Sequence, residues 1–282
     1  MKGRGLERDL KMGEDMSDGE RQIDTAAAAA YEEHLVAKVF GPWAERVVEI
    51  AAPIPGEAVL DAACGTGAGA RVAAPRVAPG DRVVGLDIDP EMVEVAHQLS
   101  AGWGVDVEWH CESALALPFA DAVFDLCLCL QGPQFFSEPN VGLAELHRVL
   151  KPSGRLIASF WCSMEYNKGH HALAQALEKR GIAPATRPFS LGDAEKAQAL
   201  FTGAGFRDME FRTEERDALF PSVAAFVEGV AAGAPATRHA LAQLPDGGQE
   251  DFVTHVEEIL EPFTGADGLT LPTRSHIVVA RP

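Results

Sequence analysis

Val59-Leu60-Asp61-Ala62-Ala63-Cys64-Gly65-Thr66-Gly67 carries an apolar run into an acid and then into a glycine-rich turn. A helical pattern follows at Ala68–Ala74. That order reads as a buried strand, a tight loop and the start of a helix. Gly65 and Gly67 let the backbone pass close to a ligand, because no Cβ stands in the way. Free N–H groups at the new helix N-terminus favour an anionic or carboxylate group there. Twenty residues beyond Gly67, the run Arg82–Leu86 reads as a second strand and ends in Asp87. An acid at that distance, on the tip of the next strand, can accept both hydroxyls of a ribose.

Two cofactor classes use this arrangement. A dinucleotide site wants G-x-G-x-x-G or its variant ending in Ala, and Gly65, Gly67 and Ala70 meet the looser form. Asp61 tips the balance. A carboxylate inside the turn repels a pyrophosphate and welcomes a cationic amino group.

The stretch Leu60–Gly67 resembles the first motif of the class I S-adenosylmethionine-dependent methyltransferases. The resemblance continues at Val84–Met92, at Ala116–Phe119 with Phe124-Asp125, and at Leu146–Arg155. It is nearest to the branch of the ubiquinone and menaquinone C-methyltransferases. This implies a Rossmann-like α/β fold: a seven-stranded, mostly parallel sheet of order 3-2-1-4-5-7-6, helices on both faces, and a helical cap insertion. It implies S-adenosylmethionine as cofactor, held by Asp61, Ala63, Gly65, Gly67, Asp87, Ile88, Met92, Ser113, Ala114, Leu130 and Gln131. Family members commonly carry Gly-Asp-Ala where this chain has Glu112-Ser113-Ala114, and the aspartate there accepts the adenine amino group. Ser113 can accept without charge, and Glu112 is the alternative acceptor.

The balance of 24 Lys+Arg against 42 Asp+Glu gives a net charge of −18, which repels phosphate backbones and argues against a nucleic-acid substrate. No apolar run reaches the length of a membrane span, and the N-terminus lacks a signal-peptide core. The five cysteines, Cys64, Cys111, Cys127, Cys129 and Cys162, form no disulfide framework and fit a reducing cytoplasm. Cys127 and Cys129 fall on one face of a strand and read as core residues. No Cys/His cluster supplies a metal site.

Along the chain, residues 1–24 read as a flexible tail and 25–282 as one domain: N-terminal helices over 25–52, a cofactor-binding core over 53–160, and a C-terminal half over 161–282. Gly41-Pro42 reads as a break between two N-terminal helices. In the resembling family such helices cover the cofactor, and an aromatic residue at the place of Tyr31 faces the site. Val123–Leu130 is a near-continuous apolar run, as buried parallel strands show. It delivers Gln131, Gln134 and Phe135 to the strand end where ligands bind in open α/β sheets. The two glutamines read either as ligand contacts or as loop-stabilising amides. Phe206–Thr213 and Ser275–Ala280 read as the last two strands, and the stretch of about 217–266 as the helical cap. His170 shares the inward stripe of Leu173 and Leu177, which makes it a candidate general base or a core histidine. His171 leans to the wetter side.

The leading expectation is methyl transfer from S-adenosylmethionine to a small organic acceptor, with C- or O-methylation of a quinone-, phenol- or natural-product-like molecule favoured. A non-catalytic cofactor-binding scaffold is the alternative, and an NAD-dependent oxidoreductase the less favoured third. The loop Gln131-Gly132-Pro133-Gln134 carries neither the Asn/Asp-Pro-Pro-Tyr/Phe of adenine and amide N-methylating enzymes nor the Pro-Cys of cytosine C5 enzymes.

Overall fold

In a computed structural model of the chain, residues 25–78, 82–101 and 106–282 are described. The expected tail over 1–24 and the loop around Gly102-Trp103-Gly104 lie outside them. The chain opens with α1 (Ala26–Tyr31), a π-helical segment (Glu32–Phe40) and α2 (Gly41–Ala51). The parallel core follows as β1 (Val59–Ala62), α3 (Ala68–Val77), β2 (Val83–Asp87), α4 (Pro90–Ser100), β3 (Val107–Cys111), β4 (Phe124–Leu130), α5 (Pro139–Val149) and β5 (Leu150–Trp161). The C-terminal half adds α6 (Lys168–Glu178), α7 (Ala194–Gly203), β6 (Arg207–Phe220), α8 (Val223–Gly233), α9 (Pro235–Leu241), α10 (Gly248–Leu260), β7 (Thr264–Gly265) and β8 (Gly268–Arg281).

The strands form one sheet of order β3-β2-β1-β4-β5-β8-β6. The five strands β3-β2-β1-β4-β5 run parallel, and β8 enters antiparallel to both β5 and β6. With the two-residue β7 set apart as a short hairpin partner of β8, this is the expected order 3-2-1-4-5-7-6. One face of the sheet packs Leu126, Leu128, Ile157 and Ile277 under α2, α3, α6, α8 and α10. The other packs Cys127, Cys129, Leu156 and Phe160 under α5 and α7. Burial of both faces is why β4 reads as an unbroken apolar run.

Two expectations are corrected. The cap is shorter than 217–266: β6 continues to Phe220, pairing Ala218 with Leu271 and Phe220 with Leu269, and Thr264-Gly265 returns to the sheet. The extension was hidden because β6 is an edge strand. Glu214, Glu215, Arg216 and Asp217 give it the charges that blunt edges rather than an apolar alternation. The helical cap is therefore α8, α9 and α10.

Second, Gly41-Pro42 does not break the helix. Phe40 and Gly41 both keep right-handed helical dihedrals, and the π segment runs straight into α2. A proline inside a helix removes a donor and crowds the preceding turn, and the wider π turns accommodate it. A Cβ on Gly41 would stand 2.8 Å from the carbonyl oxygen of Val36, so glycine is what the close approach requires.

Candidate cofactor and acceptor site

Everything the sequence singles out at strand tips converges on the carboxyl ends of β1, β2 and β4. Asp61 is 1% exposed, and its Oδ2 accepts from the N–H of Ala70 at 2.7 Å, tying the tip of β1 to the first turn of α3. A Cβ on Gly69 would stand 2.6 Å from that oxygen, so the turn closes only around glycine. The other oxygen, Oδ1, is buried without a partner among the described residues. Burial pushes the Asp61 carboxyl up to about 7, against the Ala70 hydrogen bond that favours the anion. A buried acid with one unsatisfied oxygen fits a cationic amino group and does not fit a pyrophosphate.

Asp87 closes the loop from the other side. Its Oδ2 accepts from Gly65 N–H at 2.8 Å and its Oδ1 from Asp89 N–H at 3.0 Å. Each carboxylate oxygen keeps a second lone pair for a hydroxyl. Burial raises its pKa from the ordinary carboxylate value. Gly65 and Gly67 both take positive φ, at 54° and 82°. Trp109 of β3 lies over this loop: a Cβ on Gly67 would stand 2.5 Å from its Cη2, and one on Gly85 would overlap its ring. Ala63 and Gln131 follow adjacent strands and both sit at φ 53°, a left-handed conformation that a non-glycine residue holds only when its surroundings impose it.

Around the loop, Ile88 is 71% exposed at the tip of β2, an unusual position for an apolar side chain and one that suits a flat apolar ligand face. Met92 is half-buried on α4, Ala114 is buried, and the Ser113 hydroxyl accepts from Leu115 N–H at 3.2 Å. Leu130 is half-buried at the end of β4. From above, Tyr31 covers the loop, its Cε1 standing 3.8 Å from where a Gly65 Cβ would be. Burial, and next the Asp87 carboxylate, hold its phenol firmly protonated.

Sequence reasoning missed what fastens this cover. Glu32 accepts from Thr66 Oγ1 at 2.5 Å and pairs with Arg71 at 2.6 Å, latching the N-terminal helix to the loop. Glu32 sits directly beside Tyr31, and that adjacency was the only signal. The aromatic wall behind Tyr31 was also missed: Tyr31 stacks on Phe40 at 5.3 Å, Phe40 meets Trp161 at 5.9 Å, and Trp161 meets Trp43 edge-on.

Gln131 and Gln134 are 7% and 3% exposed and hydrogen-bonded to each other. Phe135 is half exposed, and its carbonyl accepts from Arg187 at 2.7 Å. His170 lies in the first turn of α6, edge-on to Phe189 at 5.4 Å and Phe226 at 6.3 Å. Burial brings its pKa down to about 4. No hydrogen bond joins it to the cofactor loops among the described residues. His171 lines an open cavity of about 540 Å³ with Gln175, Arg187 and Phe189.

The comparisons agree with this geometry. The family described as "Methyltransferase domain" matches residues 60–158. A demethylmenaquinone methyltransferase from Thermus thermophilus is 39% identical over 115 residues, 41% of this chain and 52% of that one. Against four such relatives the match spans between 41% and 60% of the relative's length. A demethylmenaquinone methyltransferase from Clavibacter sepedonicus is 32% identical over 212 residues, 70% of this chain and 82% of that one. Among solved structures, the YcgJ protein from Bacillus subtilis superposes with a TM-score of 0.60 at 20% identity, over 85% of this chain and 98% of its own. The chain belongs to the class I S-adenosylmethionine-dependent methyltransferases, in the branch of the ubiquinone and menaquinone C-methyltransferases.

Proposed function

We propose that the chain transfers the methyl group of S-adenosylmethionine to a small aromatic hydroxyl-bearing acceptor, of the hydroquinone or phenol class. The observation that carries the cofactor half is the buried, unpartnered Oδ1 of Asp61. The cofactor supplies an activated methyl on a sulfonium. Asp61 would hold its amino group, and Asp87 its ribose hydroxyls. Ile88, Met92, Ser113 and Ala114 would flank the adenine. Tyr31 and Gln131 would border the methyl-bearing end, with Leu130 beneath. These residues raise the rate by fixing geometry and excluding water.

The acceptor half rests on the aromatic wall of Tyr31, Phe40 and Trp161 and on the names of the quinone-methylating relatives. Gln134 and Phe135 belong to this half. His170 is the candidate base, kept neutral at physiological pH by its burial. We place the reaction in the cytoplasm; among the described residues no helix is long and apolar enough to cross a membrane.

The test is titration calorimetry with S-adenosylmethionine, its demethylated product and NAD, followed by methyl transfer to a panel of hydroquinones and phenols. The sulfonium cofactor and its product should bind and NAD should not. Asp87→Ala should weaken binding on the order of tenfold or more, because a charged hydrogen bond contributes roughly 1.5–3 kcal/mol. Tight binding without transfer to any acceptor would favour the scaffold reading. Preference for NAD would overturn the cofactor assignment.

A further inference from the structure

Two buried acceptor oxygens lack a partner among the described residues: Oδ1 of Asp61 at the end of β1, and Oε1 of Gln134 just beyond the end of β4. The first is accounted for by a cofactor amine. The second ends a chain of hydrogen bonds that starts on β8. Ser275 Oγ on β8 donates its single proton to the carbonyl of Phe160 at 2.9 Å, or to that of His276 at 3.2 Å. In this arrangement it accepts from its other neighbour, Nε2 of Gln131, at 2.9 Å. That orients the Gln131 amide, so its Oε1 accepts from Nε2 of Gln134 at 3.0 Å. The Gln134 amide is oriented in turn, and its carbonyl oxygen is left facing outward from the chain with nothing to accept from.

The chain is rigid as well as directed. Gln131 is held at positive φ, its N–H bonded to the Ser159 carbonyl at 2.8 Å, and Ser275 is fully buried. Turning the Gln134 amide alone would leave two carbonyl oxygens in contact.

We infer that Gln134 Oε1 is a specificity determinant that accepts a hydrogen bond from a donor group on the methyl acceptor, and so selects a reduced, hydroxyl-bearing ring over one that presents only acceptors. This rests on the proposed function and narrows its acceptor class. A site built to accept from a hydroxyl rejects an analogue without one, since the buried oxygen then stays unpaired. Gln131 and Ser275 are positioning residues that keep the carbonyl outward.

The experiment uses the full chain saturated with S-adenosylhomocysteine, under anaerobic conditions. Binding of 1,4-dihydroxynaphthalene is compared with that of 1,4-difluoronaphthalene, a ring of similar shape without a donor. The wild type should favour the diol by about tenfold or more. Gln134→Leu should abolish that preference while leaving S-adenosylhomocysteine affinity and melting temperature in place. Gln134→Met serves if the leucine variant does not fold. Ser275→Ala, which frees the Gln131 amide to turn, should reduce the preference without abolishing it. If the diol binds and is methylated but its preference survives Gln134→Leu and Gln134→Met, the Gln134 assignment is overturned and the proposed function stands. If neither ring binds the loaded wild type, the acceptor class and this inference both fall.

Discussion

At the scale of single residues, the readable positions were those whose chemistry is local. Gly65, Gly67, Asp61 and Asp87 could be placed from order and spacing alone, because a tight turn with an acid at each strand tip needs those residue types. The orphan oxygen of Asp61 could not be read, since only the fold shows that one oxygen is used by Ala70 and the other by nothing among the described residues. Its raised pKa gives the proposed cofactor site a pH dependence with a definite sign. Below about 7 the free protein holds Asp61 as the neutral acid, which does not pair with a cation. Affinity for S-adenosylhomocysteine should therefore fall as pH drops through that value. It should fall again in the alkaline range as the ligand's own amine loses its proton. Asp61→Asn should flatten the acidic limb and lower affinity throughout; a wild-type profile flat from pH 5.5 to 7.5 would remove the charge pairing. His170 titrates further toward acid than an ordinary histidine. With its pKa held near 4 it is unprotonated across the neutral range, so a rate that depends on it as a base should be level from pH 6 upward and fall only toward pH 4. His170→Ala should lower turnover roughly a hundredfold if it is the base, with His171→Ala alongside as the control. Wild-type turnover in His170→Ala would leave positioning as the main source of rate.

Elements were legible where one face is buried and the periodicity is clean. The parallel strands were signalled by pattern, while the Asp89 cap of α4 and the Asp193 cap of α7 are seen in the structure. The N-terminal helix was legible as an element but not as a continuous one, because Gly41-Pro42 signals a stop that π-helical geometry overrides. Its latch was not legible at all: Glu32 lies 34 residues from Thr66 and reads as a solvated acid. Since Tyr31 and Glu32 are neighbours on this helix, the latch decides whether the aromatic cover stays down. The Glu32–Arg71 pair is only partly exposed, and Thr66 is 1% exposed, so breaking it leaves a buried hydroxyl without its acceptor. At roughly 1 kcal/mol for each lost hydrogen bond, Glu32→Ala should speed release of S-adenosylhomocysteine by about fivefold or more in stopped flow. Glu32→Gln, which can still accept from Thr66, should fall between the two. Release rates unchanged in both variants would mean that the helix does not gate the site.

The whole molecule joins that latch to the cap. The parallel half of the sheet was legible because motif order dictates it. The antiparallel pair β6–β8 was legible over Phe206–Thr213 and Ser275–Ala280 but not in its extension to Phe220, since the outer strand is charged on an edge. Those extra residues matter to function, because they carry the base from which α8 crosses to the N-terminal helix. Two glycines make the crossing close. A Cβ on Gly233 would stand 2.9 Å from the Tyr31 Cα and from Leu35, and one on Gly229 would stand 3.1 Å from the His34 Cβ. On the other flank, α10 is fastened to the end of α6, where Arg180 pairs with Asp251 at 2.5 Å and lies over the Phe252 ring at 5.4 Å. The cap thus has one side packed on the cover of the cofactor loop and one side anchored to the body. Closure of the cover by ligand should therefore be felt in α8 before α10. In hydrogen exchange, S-adenosylhomocysteine with a bound acceptor should slow residues 26–40 and α8 together, with little change in α10. Gly233→Ala, which forces the two helices apart, should uncouple them: the N-terminal helix would still respond to ligand and α8 would not. If exchange in α8 ignores both ligands in the wild type, the cap is a structural insertion, and access to the site is controlled by the Glu32 latch alone.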